Sequence, residues 1–371
     1  MKIHHSDTRS LLTRDEMLTA IELMIARMDV IDDRSGNGFP LYSPGTTDAW
    51  AVSSGGSWVG GFWAGWWWLR ARVTESMADR RKAAQICLRL SPKIHSVSIN
   101  RSMIFWYGAA LGDRWFGDDS ARSMARESAA ALSASHDPAM HCIPLGTDMG
   151  GGANGDRCIS VDTLASTIDL LNYNSHGQAE DIARRQVDIM HAVCGTAEGA
   201  YHSKALYEQG AFRPTDQAGV WSRGQAWAML GLSRAAAKWG EPYLSHARSA
   251  CEYWLCSRPG PVPPSSLDQL SGSGDPSASL IAALSMCALA EIVPDGERWL
   301  ICAHRQIATI VRNQYFTGLG EPVGNAAAGI FWGACYQTKP DKQELVESAW
   351  GSFFLMAALC ILAGVIKPTD C

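Results

Sequence analysis

Positive charge is scarce in this 371-residue chain: 32 Lys+Arg stand against 37 Asp+Glu, the net charge is −5, and only 19% of residues are charged. Without a basic excess there is no electrostatic footprint for nucleic acid, so no DNA or RNA partner is expected. No apolar run reaches the roughly 18 residues that suggest a membrane span. Residues 1–7 also lack the apolar core of a secretory signal, so no membrane association is expected and the cytoplasm is the expected location. The eleven cysteines form no CxxC pair, and no Cys/His spacing suits a metal. Cys87, Cys251, Cys287, Cys302 and Cys360 fall in apolar stretches where a thiol is a small hydrophobe, which fits a reducing compartment. The glycine-rich run at 150–155 lacks GKS/T and follows no strand, so it is not a phosphate loop. Strand signals are scarce throughout.

What the chain has is apolar bulk (47%) and tryptophan: 15 Trp against 9 Phe and 9 Tyr, several of them in residues 57–68. An indole offers a flat face and one N–H donor, which suits packing and sugar stacking alike. Apolar residues at i, i+3, i+4 and i+7 recur from end to end. The spacing predicts twelve helices: 14–29, 60–75, 78–90, 101–115, 119–134, 161–174, 177–194, 223–239, 241–256, 277–292, 295–312 and 348–364. Thr13 to Glu16 is a capping box opening the first of them.

Short links alternate with long ones at 30–59, 91–100, 135–160, 195–222, 257–276 and 313–347. Six helical hairpins, with long and short loops at opposite ends, predict an all-α (α/α)6 barrel forming a single domain over 1–371, the second helix of each pair lining the centre. An open solenoid shares the hairpin period, but its repeats keep every loop short.

Each long loop delivers Trp, polar or ionisable residues to the start of an inner helix: Trp58, Asn100-Arg101, Asp162, Trp221 to Trp227, Asp275 to Ser279, and Trp350 to Ser352. Helix N-termini favour anions. Trp221, Arg223, Gln225 and Trp227 put a guanidinium fork beside two indoles, which fits recognition of a uronate; an Arg–Trp stack that only packs a helix start is the plainer alternative. Asp162, after an apolar run, is either an N-cap or a general acid/base with a raised pKa. His202 is either a substrate contact or structural, and His136-Asp137-Pro138 reads as a turn.

These residues resemble the motifs of the unsaturated glucuronyl hydrolases, glycoside hydrolase family 88, and of the related family 105. Residues 221–227, WSRGQAW, resemble the W-x-R-G-Q-A-W signature, and residues 58–65, WVGGFWAG, look like W-T-x-G-F-W-x-G. Tyr201-His202, Asp275 to Ser279, Arg157 to Asp162 and Trp350-Gly351 match further family motifs in order. The resemblance implies an (α/α)6 barrel that hydrates the C4=C5 enol ether of a 4,5-unsaturated uronide, with no metal or organic cofactor and a small uronate-containing carbohydrate as its partner. It implies Asp162 as general acid/base, Trp58 as a stacking wall, and His202, Trp221, Arg223, Gln225 and Trp227 as substrate contacts.

The chain departs from the pattern in the site itself. Asn100 stands where the family carries a second catalytic acid, Ser166 replaces an Asn, Ser352 replaces an acid, and Phe212-Arg213-Pro214 replaces H-Q-G, making Arg213 a candidate second cationic contact. These departures leave two alternatives open: a repurposed hydratase, lyase or isomerase acting on a uronate-derived intermediate, and a non-catalytic carbohydrate-binding homologue.

Overall fold

The structure is a computed structural model that describes residues 11–45, 48–173, 177–269, 274–319, 327–339 and 342–371; residues 1–7, on which the reading of the N-terminus rests, lie outside them. Its helices are α1 (Arg14–Ser35), α2 (Gly60–Thr74), α3 (Met77–Leu88), α4 (Arg101–Phe105), α5 (Leu111–Phe116), α6 (Asp119–Ser133), α7 (Leu164–Leu171), α8 (Gln178–Cys194), α9 (Ser222–Trp239), α10 (Tyr243–Ser257), α11 (Pro276–Ala290), α12 (Gly296–Arg312) and α13 (Ala349–Leu362). A π turn over Trp106–Ala110 joins α4 to α5, so the two are one rod, and twelve rods stand where the periodicity placed twelve helices.

The rods alternate in character. α2, α9, α11 and α13 are buried on nearly every face, whereas α6, α8 and α12 bury a single stripe, as expected for inner and outer layers. Neighbouring inner rods pack in the order α2, α4, α7, α9, α11, α13, and α13 returns to α2, so the ring is closed. That closure excludes the open solenoid. The capping box holds α1 as expected: Thr13 Oγ1 accepts from the Glu16 N–H (3.2 Å), and Glu16 Oε2 accepts from the Thr13 N–H (2.7 Å).

Gly61 explains one close approach. A Cβ there would lie 2.3 Å from Ile104 Cα, so the α2 backbone rests directly on α4. The Trp run packs behind this contact: Trp63, Trp66 and Trp68 are fully buried, Trp68 Nε1 donates to the Gly108 carbonyl (2.9 Å), and Trp66 Nε1 approaches Met356 Sδ (3.1 Å).

The long loops, where strand signals are scarce, nonetheless carry short strands. They carry β1 (Phe39–Pro44), β2 (Ala51–Ser53), β3 (Cys158–Ser160), β4 (Lys204–Glu208), β5 (Ala211–Pro214), β6 (Trp332–Lys339) and β7 (Lys342–Ser348). One antiparallel sheet has the order β2-β1-β7-β6 and joins the first long loop to the last, pairing Tyr42 with Ser348. The other has the order β3-β4-β5. Beneath the first sheet Arg27 forks onto Glu347 (3.0 and 2.6 Å) and reaches Asp48 (2.5 Å), tying α1 to β7. Among the described residues no helix is long and apolar enough to cross a membrane.

Candidate active site

The inner helices begin at the end of the ring that carries the long loops, and their starts surround a cavity of about 240 Å³. Trp58 precedes α2, Asn100 precedes α4, Asp162 precedes α7, Trp221, Arg223 and Trp227 open α9, and Trp350 opens α13. Met103, Leu145, Met149, Gly150, Ser160, Lys204 and Tyr336 complete the lining.

The aromatic wall is continuous. Trp350 stands between Trp58 (centroids 6.2 Å) and Trp227 (6.5 Å), and its Nε1 donates to Tyr336 OH (3.1 Å). Arg223 lies over both Trp221 and Trp350, each 5.3 Å from its Cζ. Its Nη1 donates to Asp275 Oδ2 (2.6 Å) and Ser277 Oγ (3.3 Å), and Nη2 donates to the Cys335 carbonyl (3.3 Å). Asp275 is wholly buried and also caps α11, accepting from the Ala278 N–H. α11 thus reaches the cavity through an ion pair.

Asp162 is half-buried, and its Oδ1 has no hydrogen-bond partner among the described residues. Burial raises its pKa above the ordinary carboxylate value, while the positive charges of Lys204 and Arg223 pull the other way without cancelling the effect. It is not an N-cap: no side-chain cap closes α7. Ser166 is buried behind it, hydrogen-bonded to Ser102 Oγ (2.9 Å) and the Thr163 carbonyl (3.1 Å). Asn100 donates from Nδ2 to the Met149 carbonyl (3.1 Å), pinning the glycine-rich loop over the cavity. Asp162 is the one carboxylate among the described lining residues.

Three expected contacts lie elsewhere. Gln225 is completely buried: Nε2 donates to the Gly199 carbonyl (2.9 Å), and Oε1 accepts from the Tyr201 N–H (2.9 Å). On a helix, residue 225 is rotated about 200° from 223 and faces the opposite side, whereas 227 returns to the side of 223. Gln225 therefore props the loop before β4. Arg213 is exposed on β5, paired across the hairpin with Leu206, and does not line the cavity. His202 turns its Nδ1 to the Asp216 carbonyl (2.6 Å) and is also outside the lining. Asp137 accepts from the Ala139 and Met140 N–H groups (2.8 and 3.0 Å), as the turn reading expects. Arg101 points outward to the Ile94 and Ala131 carbonyls.

Lys204, Ser160 and Tyr336 were not anticipated. Ser160 and Lys204 are directly paired across β3 and β4 and so share a face of that sheet. Their signal was the strand pairing itself, hidden in a segment read as loop. Among the described residues no cluster of three or more His, Cys, Asp or Glu side chains is placed to hold a metal ion.

No protein-family model and no curated protein matches the sequence. Solved structures are similar in fold. The unsaturated glucuronyl hydrolase of Streptococcus agalactiae shares 16% identity over 99% of this chain and 98% of its own, with a TM-score of 0.81. That of Bacillus sp. GL1, described as responsible for the degradation of glycosaminoglycan, shares 17% over 94% and 97%, with a TM-score of 0.79. A variant of the streptococcal enzyme complexed with dGlcA-GalNAc6S shares 17% over 95% and 93%, with a TM-score of 0.72. The fold is thus the helical toroid of the unsaturated glucuronyl hydrolases, carried by a sequence that has diverged far from theirs.

Proposed function

We propose that the protein is a glycoside hydrolase acting on a 4,5-unsaturated uronide, with Asp162 as its general acid/base. The observation that carries this reading is a carboxyl group with a raised pKa in the lining of an aromatic cavity that holds two cations. A carboxyl whose pKa burial raises holds its proton more firmly than a free one and can deliver it to a substrate, and indole walls stack on a pyranose ring while excluding water.

The proposed chemistry starts with proton transfer from Asp162 to C4 of the enol ether. The developing positive charge at C5 is shared with the ring oxygen, and the resulting carboxylate takes a proton from the water that adds to C5. The hemiketal opens to a C5 ketone, and C1, now a hemiacetal, releases the aglycone as an alcohol. One water is consumed and Asp162 ends protonated, as it began. Trp58, Trp221, Trp227 and Trp350 hold the sugar plane in this scheme. Arg223, fixed by Asp275, shapes the wall between Trp221 and Trp350.

Asn100 favours a second reading. It lines the cavity but cannot titrate, so a reaction needing one carboxyl, an isomerisation or elimination that keeps the glycosidic bond, fits the same residues. One assay separates the two. The purified chain is expected to abolish the ultraviolet absorbance of the conjugated acid while releasing free aglycone, and Asp162→Asn is expected to lower kcat by at least about 10²-fold, the low end for general acid catalysis. Full activity of that variant refutes the role of Asp162, and loss of absorbance without aglycone release selects the second reading.

A further inference from the structure

We propose that Lys204, rather than Arg223, receives the substrate's carboxylate and so makes the cavity selective for a uronate. The inference rests on the reading above for the identity of the sugar, and on the following geometry for the residue.

Arg223 is the cation that sequence motifs single out, yet its charge is already matched. Nη1 is 2.6 Å from the wholly buried Asp275, Ser277 takes a second contact from that nitrogen, and Nη2 is directed to the Cys335 carbonyl. A guanidinium held this way has spent its fork on the protein and offers an incoming anion little net charge. Lys204 differs in each respect. It lines the same cavity, it is exposed, and no hydrogen bond or ion pair engages its ammonium group among the described residues. Its position is set by the backbone pairing of Lys204 with Ser160.

The groups around it suit a sugar acid. Ser160, paired with Lys204 across the strands, is buried and hydrogen-bonds Asp162, so among the described residues Lys204 is left as the free cation of this part of the lining. The wall opposite is aromatic, so the ring of a sugar whose carboxylate meets Lys204 has apolar faces to lie against. Asp162 is in the same lining and feels Lys204 as its strongest positive neighbour. A bound carboxylate would screen that charge and add its own, so binding favours protonation of Asp162, the form a proton donor requires. Substrate recognition and acid readiness are thereby coupled through one side chain.

The test uses the full chain with Lys204→Met and Lys204→Arg. The binding probes are D-glucuronate and its methyl ester, measured by calorimetry. Lys204→Met is expected to weaken glucuronate binding about 10- to 100-fold, the usual worth of a charge-assisted contact, and to leave ester binding unchanged. Lys204→Arg should recover most of the loss. With an unsaturated uronide disaccharide the Met variant should raise KM, and the pH limb of kcat/KM due to Asp162 should move to higher pH because a positive neighbour is gone. That limb reports the charge of Lys204 beside Asp162, and the difference between acid and ester binding reports its contact with the carboxylate. Glucuronate binding within twofold of wild type in Lys204→Met, or an equal loss for acid and ester, overturns the proposal. Wild-type protein that binds glucuronate through Lys204 but turns over no unsaturated uronide refutes the proposed reaction and leaves this assignment standing; turnover with an unchanged KM in Lys204→Met does the reverse.

Discussion

Replacing Asp275 tests how the cavity is held together. Asp275→Asn keeps an oxygen for the Ala278 N–H but removes the negative charge and turns an amide donor toward Arg223. At 2.6 Å and an effective dielectric of about 20, the lost attraction is of order 6 kcal/mol before desolvation is counted. Breaking a buried pair from one side costs about 3–5 kcal/mol in practice. Arg223 keeps its contacts to Ser277 and Cys335, so the lower end, about 3 kcal/mol, is the better figure. An unfolding entropy of about 2.1 cal/mol/K per residue gives about 0.8 kcal/mol/K for a chain of this length, hence a fall of about 4 °C in Tm. Asp275→Ala should lose about 1 kcal/mol more, because the cap goes too. Thermal unfolding at a fixed scan rate measures both. The freed guanidinium should also bind glucuronate more tightly than in the wild type. A Tm within about 1 °C of wild type, with unchanged glucuronate affinity, would refute the claim that Asp275 neutralises Arg223.

Gly61→Ala places a methyl group 2.3 Å from Ile104 Cα and 2.5 Å from its carbonyl oxygen, backbone that cannot step aside; a loss of about 3 kcal/mol is expected in thermal or urea unfolding, with Gly55→Ala, which meets only the flexible end of Lys93, as the neutral control. Gln225→Leu orphans the Tyr201 N–H and the Gly199 carbonyl, so it should cost about 2–4 kcal/mol of stability while the folded fraction binds glucuronate as before; selective loss of binding would restore Gln225 to the site. Arg312 and Thr13 hold the Glu16 pKa at about 2, below its ordinary 4.5. A carboxyl depressed in the folded state stabilises above its unfolded pKa and loses that contribution as pH falls, so the urea midpoint should drop between about pH 4.5 and 2, and Glu16→Gln should flatten that drop.

The helices were legible because burial imposes period and composition over many residues. The order of hairpins placed the second helix of each pair at the centre, and α11 and α13 are indeed buried on every face while α6 and α8 bury one stripe. The strands were not legible. β2 and β3 have three residues each, and β1 pairs with β7, some 300 positions away, so no local pattern announces them. The site divided along the same line. Trp58, Asn100, Asp162, Trp221, Arg223, Trp227 and Trp350 sit at helix starts, where the alternation of loops and helices placed them, and they line one cavity. Lys204 and Tyr336 reach the cavity from strands and were missed. Gln225 was misplaced because a linear motif does not say which side of a helix each residue faces, although the 100° step per residue contains the answer.

The antiparallel pairing of β1 with β7 also sets a timetable. Trp58 and the aromatic face of α2 are synthesised early, but their covers, Phe353, Phe354 and Met356 of α13, come last. At roughly 5–20 residues per second the interval is roughly 15–60 s. Through it Phe62 and Trp66 have no partner on that side, and the cavity lacks the wall made by Tyr336 and Trp350. The nascent chain therefore carries an adhesive aromatic stripe that only its final hairpin can hide, which makes chaperone demand during synthesis a property of the ring's seam.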